Sequence, residues 1–273
     1  MAEIRLFTQV SGMTRAANVA DQLQDSKLAE GTTVSVKVTE HATKPSVSYA
    51  LATYTADGSG GLALPSGVKQ YYPANGNGVD IYAFHPAGSP SAFEVKSDQS
   101  TDAGYRASDL MWASLSNVKS SSENHTLAFS HKLSKIIVNL VSGTDLAAGE
   151  LDIATITLGN GDLVTGGTFT AATGTFTPAT SGTGTIIIAR NAGTSAHAAS
   201  VVPQAMSGKK INVNIAGLQK SYTISTPQFQ AGTKYTYTLQ VNITGIVLMS
   251  VQIEPWDDDA SNAVSPVNNP IAV

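Results

Sequence analysis

The chain has 273 residues, with 16 Lys plus Arg against 20 Asp plus Glu, so its formal net charge is −4. Hydrophobic residues make up 42% and charged residues only 13% of it, a balance that supports a packed core and argues against intrinsic disorder. A slightly acidic chain without a Lys/Arg cluster argues against nucleic-acid binding, which depends on neutralising phosphates. The length allows about two domains, and the absence of Cys excludes disulfides and thiolate chemistry.

The first predicted element is a strand over residues 3–10. Side chains alternate between the two faces of a strand, so one face carries Ile4, Leu6, Thr8 and Val10. Residues 13–18 are small and polar, as in an exposed connector, and residues 19–28 are predicted to form a short helix. Within the connector, Arg15 precedes two small residues, a composition that a trypsin-like protease accepts in an extended loop. The alternative is a loop arginine without a role.

Strands dominate the rest of the chain. Alternating patterns cover residues 33–38, 47–54 and 79–86, and the longest strand signal runs over residues 127–140. Residues 167–173 and 174–180 form a near-repeat, which predicts the two strands of one hairpin. Further strands are predicted over residues 185–189, 199–202, 211–215, 221–225, 233–242 and 246–253.

These patterns predict an all-β protein of two tandem β-sandwiches. The Ser-rich residues 120–124 are the predicted junction between them. The predicted domains are therefore residues 1–125 and 126–255, and residues 256–273 form a C-terminal extension with little periodicity.

The sequence carries no recognisable catalytic device. It lacks a nucleophile elbow, a phosphate-binding loop, a dinucleotide fingerprint and a zinc-protease motif. The five His residues are scattered, without a second His at metal-ligand spacing on one strand face. We therefore predict a protein that is not an enzyme and that needs no metal or cofactor.

A set of motifs in a specific order resembles the fimbrillin-like proteins, which are subunits of the type V pili of Gram-negative gut and oral anaerobes. The resemblance is carried by residues 79–86, 127–140 and 232–239, and by Ile4-Arg5-Leu6-Phe7, Thr14-Arg15-Ala16, Asp109-Leu110-Met111-Trp112-Ala113, Val202-Pro203-Gln204 and Ile253-Glu254-Pro255-Trp256-Asp257-Asp258. It implies two transthyretin-like β-sandwich domains and a pilus subunit that supports adhesion.

The resemblance also implies a route of assembly. The precursor is exported as a lipoprotein of the outer membrane and cell surface, and its lipidated Cys is expected upstream of Met1. An Arg-specific protease cuts between Arg15 and Ala16 and removes the N-terminal strand with Ile4, Leu6 and Val10. Other pilus subunits then join by β-strand addition. The donor strand is expected in the C-terminal region, with Val264, Val267, Ile271 and Val273 as its apolar candidates.

A second interpretation stays open from the sequence. The chain is then a monomeric surface lipoprotein or tip adhesin whose loops bind a host glycan or protein. The candidate stacking residues for a sugar ring are Tyr71, Tyr72 and Trp256.

Overall fold

A computed structural model describes residues 2–10, 28–88, 91–146, 149–190 and 196–256. The described chain is nearly all β, as the composition predicts. It has nineteen strands, one six-residue α-helix, α1 (Asp102–Ala107), and one 3-10 turn over Glu150–Ile153. The strands are β1 (Leu6–Val10), β2 (Thr33–Glu40), β3 (Ala52–Ala56), β4 (Gly61–Ala63), β5 (Val79–His85), β6 (Phe93–Glu94), β7 (Met111–Val118), β8 (His125–His131), β9 (Ser134–Ser142), β10 (Thr155–Leu163), β11 (Gly166–Thr170), β12 (Thr175–Pro178), β13 (Gly184–Ile187), β14 (Ala189–Arg190), β15 (Ala196–Val201), β16 (Lys210–Ile215), β17 (Leu218–Thr223), β18 (Thr233–Val241) and β19 (Ile246–Pro255).

The N-terminal half forms a closed barrel of seven strands in the order β1-β4-β3-β2-β5-β7-β8. This differs from the predicted two-sheet sandwich because β1 pairs with both β4 and β8, and the hydrogen-bonded ladder therefore closes on itself. The barrel has its own apolar core, which includes Leu6, Val36, Ile81, Leu127 and Phe129.

The C-terminal half contains three sheets around a second core. Their orders are β13-β10-β16-β17, β12-β11-β6 and β14-β15-β9-β18-β19. The hairpin predicted from the near-repeat is confirmed, because β11 and β12 pair antiparallel with Phe169 opposite Phe176. One strand crosses over between the halves: β6 precedes the last two barrel strands in the chain, yet it pairs with β11.

The long strand predicted over residues 127–140 is two strands. The ladder breaks at Lys132, whose N–H donates to the Leu110 carbonyl, and at Leu133, whose carbonyl accepts from Gly232. β8 therefore belongs to the barrel, and β9 belongs to the five-stranded sheet. The predicted boundary between residues 125 and 126 falls at the first residue of β8, and the division into domains stays a prediction.

Helix α1 was not predicted, because six residues are too few to show a helical period. Its N-cap is Thr101, whose hydroxyl accepts from the Gly104 N–H at 3.1 Å. The helix packs Tyr105 against Ile137 and Ala198 on the five-stranded sheet. The helix predicted over residues 19–28 lies outside the described residues, apart from Leu28.

Candidate functional site: the N-terminal strand and its groove

β1 lies between β4 and β8 and completes the barrel. Its five residues pair in parallel with five residues of β8, from Leu6 opposite His125 to Val10 opposite Phe129. On its other side β1 is antiparallel to the short β4, where Leu6 lies opposite Leu62. Without β1, both neighbours would present unpaired backbone groups, which is the state that favours pairing with another chain.

The inward face of β1 is buried at the positions that the alternation indicates, and so is Ile4, which lies two residues before the strand. The exposed fractions are 5% for Ile4, 2% for Leu6, 7% for Thr8 and 0% for Val10. Burying each Ile, Leu or Val side chain is worth about 1.5–3 kcal/mol, so three of them hold the strand firmly. That this strand is removable stays a prediction.

The outward face of β1 contributes much less. Arg5 and Gln9 are exposed, and Phe7 is half-buried. Just before the strand, the Glu3 carboxylate pairs with the Lys69 ammonium at 3.1 Å, but the Lys69 side chain is 53% exposed. Water screens such a pair, so it adds about 0–1 kcal/mol.

A short turn over residues 57–61 holds the middle of β1. The Asp57 carboxylate accepts from the Ser59 N–H and hydroxyl, each at 2.8 Å, and from the Gly61 N–H at 2.9 Å. These bonds, first among them the one from the Ser59 hydroxyl, lower the pKa of Asp57. The turn also requires Gly60, whose φ is +110°. Its carbonyl accepts from the Thr8 N–H at 2.6 Å and from the Thr8 hydroxyl at 3.2 Å.

Buried polar groups support the start of β1. The Ile4 N–H donates to the Gln70 carbonyl at 2.9 Å, and the Gln70 side chain accepts from the Tyr54 hydroxyl at 3.1 Å. Burial raises the pKa of Tyr54, which therefore stays a neutral donor. A cleft of about 360 Å³ runs beside this region, along β1, β4 and residues 64–68.

The predicted cleavage bond and donor strand lie outside the described residues. The bond is the one between Arg15 and Ala16, and the apolar candidates of the donor strand are Val264, Val267, Ile271 and Val273. In the sequence, Arg15 follows the last residue of β1, Val10, by five positions. The turn at Gly60 was not predicted to be part of the site. The sequence signal that could have indicated it is the Asp-Gly-Ser-Gly-Gly run of residues 57–61.

Two of the three candidate sugar-stacking residues are buried, so that part of the sequence-based interpretation is wrong. Tyr72 is 2% exposed and Trp256 is 7% exposed. The Trp256 ring instead stacks on His131, with centroids 3.9 Å apart and planes 4° apart. A ring covered on its face cannot stack on a sugar, and of the three candidates only Tyr71 is partly exposed.

The described ranges offer neither a candidate metal site nor a helix that could span a membrane. Those ranges contain no group of three or more His, Cys, Asp or Glu residues that could hold a metal ion. They also contain no helix with the length and apolarity needed to cross a bilayer.

The fold defines an all-β protein whose N-terminal strand completes a barrel, and solved structures share this fold. A structure described as a cell adhesion protein from Bacteroides uniformis aligns with a TM-score of 0.73 at 19% identity, over 93% of this chain and 98% of that one. Another so described, from Bacteroides ovatus, also has a TM-score of 0.73, at 16% identity, over 93% of this chain and 97% of that one.

The family follows from the sequence match. The model of the fimbrillin-like family matches residues 14–256, and the chain belongs to that family. A relative from Bacteroides uniformis that bears the name fimbrium subunit Fim1C is 24% identical over 211 residues, which is 72% of this chain and 68% of the relative.

Proposed function

We propose that this chain is a structural subunit of a cell-surface pilus and that it assembles by strand exchange after removal of β1. The observation that carries the proposal is the position of β1, which lies at the N-terminal end of the chain, closes a barrel from both sides and buries Ile4, Leu6 and Val10. Membership of the fimbrillin-like family supports the same role.

The physical basis is the replacement of one strand by another. Release of β1 uncovers the edges of β4 and β8 together with the apolar spaces that Ile4, Leu6 and Val10 occupy. A strand from a neighbouring subunit restores the ladder hydrogen bonds and the burial together. The uncut β1 keeps the groove filled and prevents premature assembly.

The proposal includes steps that the family resemblance implies. An Arg-specific protease cuts after Arg15, and a lipid anchor on the precursor holds the chain at the outer membrane before assembly. The donor strand comes from the C-terminal region of a second subunit. The two cores correspond in this proposal to the two transthyretin-like domains of the family, and the assembled pilus supports adhesion.

The test is controlled cleavage of the full chain. Treatment with an Arg-specific protease should cut after Arg15, release the N-terminal peptide and give a ladder of multimers on a native gel. Arg15→Lys should resist the protease and stay monomeric, although it keeps the positive charge and the fold. Cleaved wild-type protein that stays one size, or Arg15→Lys protein that multimerises as well as wild type, would overturn the proposal.

The second candidate function is a monomeric surface lipoprotein or tip adhesin. It is favoured by the two solved structures of the same fold that are described as cell adhesion proteins. Such a protein would stay one size after cleavage and would bind a host glycan or protein. A glycan array with the uncleaved chain tests this candidate, and Tyr71→Ala is the variant that should weaken a stacking contact.

A further inference from the structure

The groove of β1 has one polar position among apolar ones. Thr8 is 7% exposed, whereas Leu6 and Val10 on the same face are 2% and 0% exposed. The Thr8 hydroxyl donates to the Gly60 carbonyl at 3.2 Å. A buried hydroxyl needs such a partner, because leaving it unpaired costs free energy. We call the Gly60 carbonyl and the space that the Thr8 side chain fills the polar subsite.

The acceptor of the polar subsite belongs to the turn over residues 57–61 and not to β1. Gly60 is held in the turn by Asp57, which accepts hydrogen bonds from Ser59 and Gly61. The hydrogen bonds of the Asp57 carboxylate do not involve β1, although Gly61 lies opposite Phe7, so we expect the turn to keep the Gly60 carbonyl in place when β1 leaves. An incoming strand would therefore meet a fixed acceptor between apolar spaces.

When the C-terminal segment is read from its last residue backwards, its order of apolar and polar side chains matches that of the residues that fill the groove of β1. The alternate residues of the segment 267–273 are, from the far end, Val273, Ile271, Asn269 and Val267. The order is apolar, apolar, polar, apolar. The same order is found in Ile4, which lies two residues before β1, and in the inward residues of β1, namely Leu6, Thr8 and Val10.

We propose, on the basis of the proposed function, that residues 267–273 of a second copy enter the groove antiparallel to the original direction of β1. The Asn269 side-chain amide then donates to the Gly60 carbonyl in place of the Thr8 hydroxyl. The three apolar residues of the segment fill the spaces left by the apolar residues of β1. The polar subsite thereby sets the register and the direction of the donor strand.

The opposite direction fits the groove less well. If the segment ran as β1 does, with Asn269 at the polar subsite, Ser265 would fill the space of Ile4, which is only 5% exposed. An unpaired serine hydroxyl would then replace an apolar side chain. The reversed direction puts Val273 at that place.

The backbone also favours the reversed direction. β1 and β8 pair in parallel, and parallel pairing is slightly less stable per residue than antiparallel pairing. A reversed donor is antiparallel to β8 and parallel to β4, and because β1 pairs with five residues of β8 but with two of β4, the longer of the two ladders becomes antiparallel. Pro270 then takes the outward place of Phe7 and removes one ladder hydrogen bond, whereas Pro266 lies beyond the place of Val10.

Peptide exchange tests the polar subsite. The host is the full chain with Ile271→Asp, which disables its own donor, cleaved after Arg15. Labelled peptides of residues 262–273 are added, and binding is followed by fluorescence anisotropy. We expect Asn269→Leu to bind about tenfold more weakly, because the Gly60 carbonyl loses a donor, and Asn269→Thr to bind within about twofold of the native peptide. Equal or tighter binding of Asn269→Leu would overturn the polar subsite.

Disulfide cross-linking tests the direction, and the chain offers a clean background because it has no Cys. The exposed residues Ala128 and Thr126 of β8 lie opposite Gln9 and Phe7. In the reversed direction Asn268 takes the place of Gln9, and in the original direction it takes the place of Phe7. A peptide with Asn268→Cys should therefore cross-link to the Ala128→Cys host. Preferential cross-linking to the Thr126→Cys host would overturn the reversed direction.

A peptide of residues 2–12 separates the two ways in which the inference can fail. If this peptide binds the cleaved host and the C-terminal peptide does not, the donor assignment is wrong and the removable strand stands. If neither peptide binds, the groove itself is not available, and the proposed function fails with the inference.

Discussion

The first and last strands of the described chain are held in contrasting ways. β1 has five residues, pairs on both sides and buries its inward face. β19 has ten residues but a single strand partner, β18, in the described ranges, and it leaves Val247, Met249 and Ile253 at 54%, 57% and 43% exposed. The short strand is therefore an integral part of a core, whereas the long strand covers one. Length alone is a poor guide to how strongly a terminal strand is held.

The largest effect is expected at the residue that follows β19. Trp256 stacks on His131, which in turn contacts the Asp109 carboxylate at 2.7 Å, and all three residues are buried. Trp256→Ala should lower the free energy of unfolding by about 3–5 kcal/mol, since it removes a large buried ring. Chemical denaturation measures the change.

Trp256→Phe is the matched control, because it keeps an aromatic face against His131. It should lose clearly less stability than Trp256→Ala. Equal losses for the two variants would mean that the stack does not hold the end of β19.

The next effect compares the two strands directly. Leu6→Ala, in the barrel core, should lower the free energy of unfolding by about 2–5 kcal/mol, because a buried side chain is truncated. Val247→Ala, on the exposed part of β19, should change it by less than about 0.5 kcal/mol. Similar losses for both variants, measured by urea denaturation, would refute the contrast between the strands.

The smallest expected effect is the pH dependence of the rate at which the cleaved chain releases β1. Hydrogen bonds, first that of the Ser59 hydroxyl, keep the pKa of folded Asp57 below its unfolded value of about 3.9. The stabilisation is therefore present above that value and is lost as pH falls through the folded pKa. In the chain cleaved after Arg15, release of the N-terminal peptide should accelerate as pH falls below about 4.

Asp57→Asn should weaken this acceleration, because the group no longer titrates. Asp98→Asn is the matched control: Asp98 makes the same kind of turn with Ser100, its pKa is likewise lowered, and it lies outside the barrel strands. An unchanged pH profile in Asp57→Asn, measured by peptide release, would show that another carboxylate controls the effect.

Local patterns in the sequence predicted several elements well. Alternation placed β5 within one residue of its observed bounds, and the near-repeat identified the hairpin of β11 and β12. β10 was missed, because Gly159 and Gly161 interrupt its pattern with φ values of +78° and +77°. Its ladder with β13 also shifts register between Leu158 and Leu163, which alternation cannot anticipate.

The separation of β8 from β9 shows a second kind of limit. Eight of the fourteen residues 127–140 are apolar, and they recur from one end of the segment to the other, so a single long strand was the simplest interpretation. The break at Lys132 and Leu133 depends on the carbonyl of Leu110 and the N–H of Gly232, which are remote in the chain. A pattern within one segment holds no information about partners that arrive from elsewhere.

The sequence by itself determined which residues of β1 face inward, because side chains alternate along any strand and Ile4, Leu6 and Val10 share one parity. It also determined the all-β class and carried the family match. Only the tertiary structure decided that β1 closes a barrel and that Gly60 supplies an acceptor to Thr8. Thr8 and Gly60 are 52 positions apart in the chain, and the paired residues of β1 and β8 are about 120 positions apart. Such long-range pairing depends on how the whole chain packs.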